Sequence, residues 1–159
     1  MGIFSDGDAY RALGVKRLIN AAGADTTKGG STLSQESLQL MANANESWVD
    51  MPELLQKAGA HIAGLLGVEA AHLTSGAASA LTLSAAACMA GGDKEKMGQL
   101  PDTTGMRDEF VVLAAHDYIF ARCLTYCGGK LVKAGDMNGC TLGQIEAAID
   151  YTNTVGGRF

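Results

Sequence analysis

The stretch Leu73-Thr-Ser-Gly-Ala-Ala78 decides the fold predicted for this 159-residue chain. The apolar segment before it, Ala70–Thr74, is typical of a short buried strand. The Ala-rich segment after it, Ala77–Met89, predicts a helix that is apolar on nearly all sides and therefore buried. In such a strand–turn–helix unit, the unpaired amides and positive dipole end of the helix point toward the carboxyl end of the strand.

The rest of the chain continues this alternation. Glu109–Ala115 and Lys130–Ala134 are predicted strands, Tyr118–Cys127 is a predicted helix between them, and Thr141–Asp150 is a predicted closing helix. The order predicts an α/β fold with a mostly parallel sheet and flanking helices. Because three strands make a thin sheet and the sequence stops where the next strand should begin, we expect an incomplete domain.

The N-terminal third predicts an arm, a Gly-rich loop and two capped helices. Ser34 is a good N-cap for a helix that runs to about Ser47. Asp50 caps the next helix, with Pro52 in its first turn. We therefore divide the chain into residues 1–48 and residues 49–159.

Composition and charge exclude several classes of protein. The net charge is −5 and no stripe of Lys or Arg is present, so nucleic-acid binding is disfavoured. No secretory signal and no apolar run of about 20 residues are found, which predicts a cytoplasmic protein that does not enter a membrane. The four cysteines lack metal or disulfide spacing, so we expect reduced thiols.

The turn Ser75-Gly76-Ala77 is a candidate phosphate cradle. Gly76 and Ala77 lack bulk, so a phosphate can reach the helix amides, and Ser75 can add a hydroxyl. The alternative is a tight turn that binds nothing, and the residues of this motif alone leave that alternative open.

Two further side chains are candidates for binding. His116 directly follows a predicted strand, at the edge of the sheet where ligands of open α/β folds bind, and its imidazole could stack on a flat ring. Arg107 lies in a polar loop and could clamp a carboxylate or a phosphate. A structural histidine and a solvated surface arginine are the alternatives.

Taken together, these pieces resemble the selenocysteine-synthase-like family of fold-type I pyridoxal-phosphate (PLP) enzymes. Members include seryl-tRNA selenium transferase and ammonia-lyases of phosphorylated amino sugar acids. The resemblance covers about residues 10–150 and rests on these stretches in this order: Arg17-Leu-Ile-Asn-Ala-Ala-Gly23, Gly29-Gly-Ser31, Val49-Asp50, Thr74-Ser-Gly-Ala-Ala78, Leu100-Pro-Asp-Thr-Thr-Gly-Met-Arg107 and His116.

The resemblance implies a role for each candidate residue. Ser75, Gly76 and Ala77 would hold the phosphate of pyridoxal 5'-phosphate, and His116 would lie against its ring. Asn20 would face the active-site mouth near a partner subunit, and Arg107 would lie near the substrate. Residues 1–48 would then carry the active-site loop, and residues 49–159 the first part of the PLP-binding large domain.

The implied activity is that of a PLP-dependent lyase or transferase that eliminates or replaces a β-substituent or ammonia on a small amino acid or amino-sugar acid. The lysine that would bind PLP covalently belongs beyond residue 150, so we expect this fragment to be inactive alone and to form a homodimer or larger homo-oligomer when full length. After His116 the sequence Asp117-Tyr-Ile-Phe-Ala121 departs from lyase-like relatives, which leaves the substrate open. The alternatives are the tRNA-dependent selenium transferase itself and a non-catalytic α/β binding domain.

Overall fold

The computed structural model describes residues 9–150 and 152–155. It divides into two compact units, Met1–Asp50 and Met51–Phe159, whose boundary lies next to the one predicted after residue 48. In the first unit the helices are α1 (Ala9–Ala12) and α2 (Gln35–Ala44), with a 3₁₀ turn at Thr26–Lys28. The N-cap prediction for α2 is confirmed, because the Ser34 hydroxyl accepts a hydrogen bond from the Ser37 amide.

The second unit carries a mixed α/β arrangement. Its helices and strands are α3 (Met51–Leu66), α4 (Ala77–Ala90), α5 (Lys94–Gln99), β1 (Glu109–Leu113), β2 (Lys130–Ala134) and α6 (Leu142–Ala148). Two 3₁₀ segments, Ala114–His116 and Ile119–Leu124, follow β1. The capping box that begins α6 is formed by Thr141 and Gln144, each of which hydrogen-bonds the other's backbone.

The strands β1 and β2 pair in parallel, from Glu109 opposite Lys130 to Leu113 opposite Ala134. A third segment approaches the other side of β1. The Glu109 amide donates to the Asn153 carbonyl at 3.0 Å, and the Val155 amide donates to the Glu109 carbonyl at 2.8 Å. The chain after α6 therefore begins a parallel pairing with β1, which lies between two neighbours.

The predicted strand Ala70–Thr74 is wrong. Among the described residues this segment has no ladder partner, and only Ala71 and Thr74 in it are partly buried. Its surroundings explain the difference, because α3 crosses it so closely that a Cβ on Gly59 would collide with the Ala71 carbonyl. The position beside β1 is taken by residues 153–155 instead.

The helix predicted at Tyr118–Cys127 is also wrong in type. The chain forms a 3₁₀ helix there, over Ile119–Leu124. Aromatic and β-branched side chains, as at Tyr118–Phe120, lose rotamer freedom in an α-helix, and short connecting segments often wind as 3₁₀. In the same way, β1 ends at Leu113 rather than at Ala115.

The core lies between α4 and the sheet. Its buried members are Ala85 and Met89 of α4 with Met106 and Cys127. Contrary to the prediction that α4 is buried nearly all round, Leu81 is 39% exposed and Leu83 is 50% exposed. Since the helix has one buried face, its uniformly apolar sequence did not indicate which side would be covered.

Asp108 ties the loop after α5 to both strands. Its side chain is only 7% exposed and accepts hydrogen bonds from Lys130 Nζ at 2.8 Å and Thr103 Oγ1 at 2.6 Å. Burial by itself would raise the pKa of Asp108, but the hydrogen bonds from Lys130 and Thr103 and the charge of Lys130 outweigh it. The pKa of this carboxyl is therefore lowered, and it is an anion at neutral pH.

We expect Asp108→Asn to lower the free energy of unfolding by about 1 to 3 kcal/mol, because a buried charge-assisted contact is lost and Lys130 is left unpaired. Asp117→Asn is the matched control. Asp117 pairs with Lys133, the other lysine of β2, but is 29% exposed, so its loss should cost less than about 1 kcal/mol. Urea unfolding followed by circular dichroism measures both, and equal losses would contradict a special role for Asp108.

The same carboxylate predicts a pH dependence. Because the pKa of Asp108 is lower in the folded than in the unfolded chain, its stabilisation is complete above the unfolded pKa of about 4. This stabilisation is lost as the pH falls through the pKa of Asp108 in the folded chain. The urea midpoint of the parent chain should therefore fall more steeply between about pH 5 and 2 than that of Asp108→Asn. If the urea midpoints of the two chains fell in parallel with pH, Asp108 would not contribute to the pH dependence of stability.

Candidate functional site

The first turn of α4 presents three unpaired amides. Gly76 is the N-cap residue, with a positive φ of 158° that favours glycine, and its carbonyl accepts the hydrogen bond from the Ala80 amide at 3.0 Å. The amides of Ala77, Ala78 and Ser79 have no acceptor among the residues the structure describes. Three N–H groups at the positive end of a helix dipole favour an anion there.

The space before these amides is open. A Cβ built on Gly76 would meet no atom within 4 Å. The neighbouring hydroxyls organise the turn: Thr74 Oγ1 donates to the Gly76 carbonyl at 3.0 Å, and the Ser75 and Ser79 hydroxyls lie 2.9 Å apart. The turn therefore leaves room for an oxyanion near the amides and the Ser75 hydroxyl, and phosphate binding there stays a prediction.

His116 ends the 3₁₀ turn that follows β1. Its ring is exposed, and its side chain makes no hydrogen bond with any described residue. It lines a shallow, mainly apolar cavity of about 290 Å³ together with Leu81, Val112, Leu113, Tyr118, Phe120, Ala121 and Leu124. An imidazole in this position can lie against a flat apolar group or exchange a proton.

The direction of α4 brings the two features to one edge of the sheet. Leu81, early in α4, shares the cavity of His116 at the carboxyl end of β1. Cys88, late in α4, shares another cavity with Arg107, just before β1 begins. Thus α4 runs antiparallel to β1, and its amino end opens at the carboxyl edge where His116 emerges.

A hydrogen bond across the fold holds α4 in this position. Thr82 Oγ1 donates to the Cys123 carbonyl at 2.8 Å, and the Cys127 thiol donates to the Thr82 carbonyl at 3.5 Å. These contacts join the second turn of α4 to the 3₁₀ segment that follows His116. They fix the helix that carries the amides relative to the strand that carries the imidazole.

Arg107 is not brought to this edge. It lies before the amino end of β1, in a cavity of about 630 Å³ that also contains Lys96. The fourteen residues of α4 span about 20 Å, and this cavity lies beside the end of that helix farthest from Ser75. Substrate binding by Arg107 stays a prediction, without support from a shared cavity with His116.

Asn20 lies in the first unit, where it forms a local turn. Its Oδ1 accepts from the Ala22 amide at 3.0 Å, and its Nδ2 donates to the Gly23 carbonyl at 2.7 Å. The side chain therefore shapes the start of the Gly-rich loop, and its contact with a substrate stays a prediction.

Sequence reasoning missed the role of Lys96 and of the turn at Thr152 and Asn153, which line the Arg107 cavity. Lys96 is one of several lysines in a polar stretch, and no motif distinguishes it. Only the folding of residues 93–108 back on α4 places it beside Arg107. The pairing of residues 153–155 with β1 supplies the remaining wall.

The described part of the second unit defines the class of protein segment: a mixed α/β arrangement with a small parallel sheet, flanking helices and a helix end with unpaired amides at the carboxyl edge. Among residues 9–150 and 152–155, no helix is long and apolar enough to cross a membrane.

Comparison with known proteins narrows this class. The chain is 32% identical over 145 residues to D-glucosaminate-6-phosphate ammonia lyase of Salmonella typhimurium (strain 14028s / SGSC 2262), covering 89% of the chain and 39% of that protein. It is also 32% identical over 145 residues to a 5'-C-glycyluridine monooxygenase-decarboxylase of a Streptomyces species, covering 88% of the chain and 36% of that protein. No family model matches the chain.

A solved structure supports the same relationship. The structure of D-glucosaminate-6-phosphate ammonia-lyase superposes with a TM-score of 0.87 at 31% sequence identity, covering 94% of this chain and 41% of that one. The predicted α/β fold, as part of a larger enzyme domain, is thereby confirmed. The chain spans about two fifths of the length of these relatives.

Proposed function

We propose that this chain supplies the phosphate-binding and ring-binding side of a pyridoxal 5'-phosphate-dependent lyase. The reaction would eliminate ammonia or a β-substituent from a small amino acid or amino-sugar acid, as the name of the ammonia-lyase relative suggests. The observation that carries the proposal is the opening of the α4 amides and of His116 at the same edge of the sheet. The strong structural similarity to an ammonia-lyase supports it.

The residues present fit the chemistry of the cofactor. Its phosphate is a dianion, and the unpaired amides of Ala77, Ala78 and Ser79 can donate to it, with Ser75 as a further donor. The absence of a side chain at Gly76 leaves room for the phosphate. His116 and the apolar cavity beside it can cover one face of a pyridine ring. When bound, the cofactor supplies an electron sink for carbanion chemistry.

In this proposal the residues of the chain bind and orient. The end of α4 anchors the phosphate, and Thr82 keeps α4 aligned with the segment after His116. The His116 ring limits movement of the pyridine ring and shields one face from water. Leu81 and Leu113 exclude water from the apolar side of the cavity. Asn20 remains a proposed substrate contact, whereas the cavity of Arg107 lies beside the opposite end of α4.

A second reaction on the same scaffold is a specific alternative. The monooxygenase-decarboxylase relative is as similar in sequence as the ammonia-lyase, although its name denotes different chemistry. Both reactions could use the same phosphate and ring site, because neither name says which groups bind at the carboxyl edge of the sheet. Release of ammonia without consumption of oxygen would favour the lyase.

The whole enzyme is proposed to be a homodimer or a larger homo-oligomer. The helix α3 leaves an apolar surface exposed, in which Leu65 is 73% and Leu66 is 67% exposed. Exposed apolar surface of this kind commonly marks an interface. A cytoplasmic location remains part of the proposal.

We expect Ala77→Pro to weaken binding of pyridoxal 5'-phosphate about tenfold, because it removes one donor amide and leaves α4 intact. Proline is favoured at the first position of a helix, where the missing amide hydrogen costs no hydrogen bond within the helix. Leu142→Pro, at the first position of α6, is the matched control and should bind as the parent does. Titration followed by cofactor fluorescence measures the affinities.

The phosphate should account for most of this affinity, so pyridoxal without phosphate should bind at least tenfold more weakly. His116→Ala should change the absorbance of bound cofactor without changing the circular dichroism of the chain. Equal affinity of Ala77→Pro and the parent chain would overturn the assignment of the α4 end as the phosphate site.

We also expect the 159-residue chain to hold the cofactor without a covalent bond and to release no ammonia from D-glucosaminate-6-phosphate. None of Lys28, Lys94, Lys96, Lys130 and Lys133 lies in the context that the resemblance requires for the covalent lysine. Borohydride reduction followed by peptide mass spectrometry tests this. A stoichiometric adduct on one lysine would show that the chain already carries the covalent site.

A further inference from the structure

The cavity of about 630 Å³ beside the end of α4 is lined by two cationic side chains, Lys96 and Arg107. Neither forms an ion pair with any residue in the described part of the chain. Lys96 is half-buried, whereas Lys94 on the same helix is exposed. Two unpaired cations that face one cavity leave a local excess of positive charge.

No carboxylate among the described residues forms an ion pair with Lys96 or Arg107. The described lining of the cavity contains no Asp or Glu. Asp108 is bound by Lys130 at 2.8 Å, and Asp150 accepts hydrogen bonds from the Thr152 hydroxyl at 2.6 Å and the Asn153 side chain at 3.1 Å. These bonds lower the pKa of both carboxyls, and for Asp108 they outweigh the effect of burial, so each is an anion. The charge of Asp108 is compensated by Lys130, whereas the partners of Asp150 are neutral groups.

The rest of the lining suits a small molecule. Met89, Met106 and Val155 provide apolar surface, and Thr152 and Asn153 provide polar groups. A volume of about 630 Å³ lies within the usual range of small-molecule sites. An Arg fork beside a Lys point charge matches a dianion with several acceptor oxygens, which is the chemistry of a phosphate group.

We propose that Lys96 and Arg107 form a second anion site, at the amino edge of the sheet, that binds a phosphate group, either free or carried by a small molecule. The site is separate from the carboxyl-edge site, because the length of α4, about 20 Å, lies between them. It therefore does not depend on the proposed function. It also places Lys96 in the same cavity as Arg107, which the sequence did not indicate.

The test is a titration of the ¹⁵N-labelled 159-residue chain with inorganic phosphate at about pH 8, where phosphate is a dianion, followed by amide chemical shifts. We expect saturable shifts at Gly105–Arg107 and Thr152–Val155. Arg107→Gln and Lys96→Gln should each weaken the affinity about tenfold or more. Lys94→Gln, the matched control on the same helix, should leave it unchanged.

Further arms identify the ligand and exclude misfolding. Arg107→Lys should retain part of the affinity, since the charge remains while the fork is lost. Tighter binding of phenyl phosphate than of inorganic phosphate, with shifts at Met89 and Met106, would indicate a phosphorylated small molecule, and equal binding would indicate free phosphate. Dispersed spectra of the unliganded variants show that each is folded.

Two results would overturn the proposal. If phosphate produces no saturable shifts at Gly105–Arg107, the two cations only complement the negative end of the α4 dipole. If saturable shifts appear only at Ala77–Ser79 and are unaffected by Arg107→Gln, phosphate binds at the carboxyl-edge site alone. Binding at Ala77–Ser79 alone would contradict the second anion site but not the proposed function. Loss of binding at Ala77–Ser79 would contradict the proposed phosphate site but not the second anion site.

Discussion

The antiparallel packing of α4 along β1 is the constraint on which the rest of the structure depends. A strand and a helix that run in opposite directions place the positive end of the helix at the carboxyl edge of the sheet. The buried contacts of Ala85 and Met89 supply the apolar part of this packing, and the hydrogen bond from Thr82 to the Cys123 carbonyl fixes its alignment. Without that alignment, the amides of α4 and the ring of His116 would not open at the same edge of the sheet.

The two edges of the small sheet consequently differ in chemistry. At the carboxyl edge, neutral groups create the binding potential: backbone amides at a helix end, small side chains and one imidazole. At the amino edge, formal charges dominate: the buried Asp108 pairs with the exposed Lys130, and Lys96 and Arg107, which line one cavity, have no ion-pair partner among the described residues. An anion can be stabilised at either edge, by amide dipoles at one and by side-chain charges at the other.

Few residues are fully buried in the core compared with the number of apolar residues in the sequence. Its buried members are mostly Ala, Met and Cys, whereas Trp48, Leu65 and Leu142 are largely exposed. β1 has an aligned neighbour on one side and only the short pairing with residues 153–155 on the other. The relatives are more than twice as long as this chain. This is consistent with the exposed apolar surface that the proposed assembly requires.

Local chemistry could be predicted from the sequence because it depends on neighbouring residues. Ser34 and Thr141 cap helices since their hydroxyls reach amides in the next turn, and Glu109–Leu113 and Lys130–Ala134 form strands from their apolar runs. The exposed end of α4 at Gly76 was likewise predicted from small residues. The lack of a strand partner for residues 70–74, the 3₁₀ winding after His116 and the cavity shared by Lys96 and Arg107 were decided only by tertiary structure. Each depends on groups far apart in the chain, and a strand partner or a shared cavity leaves no local pattern.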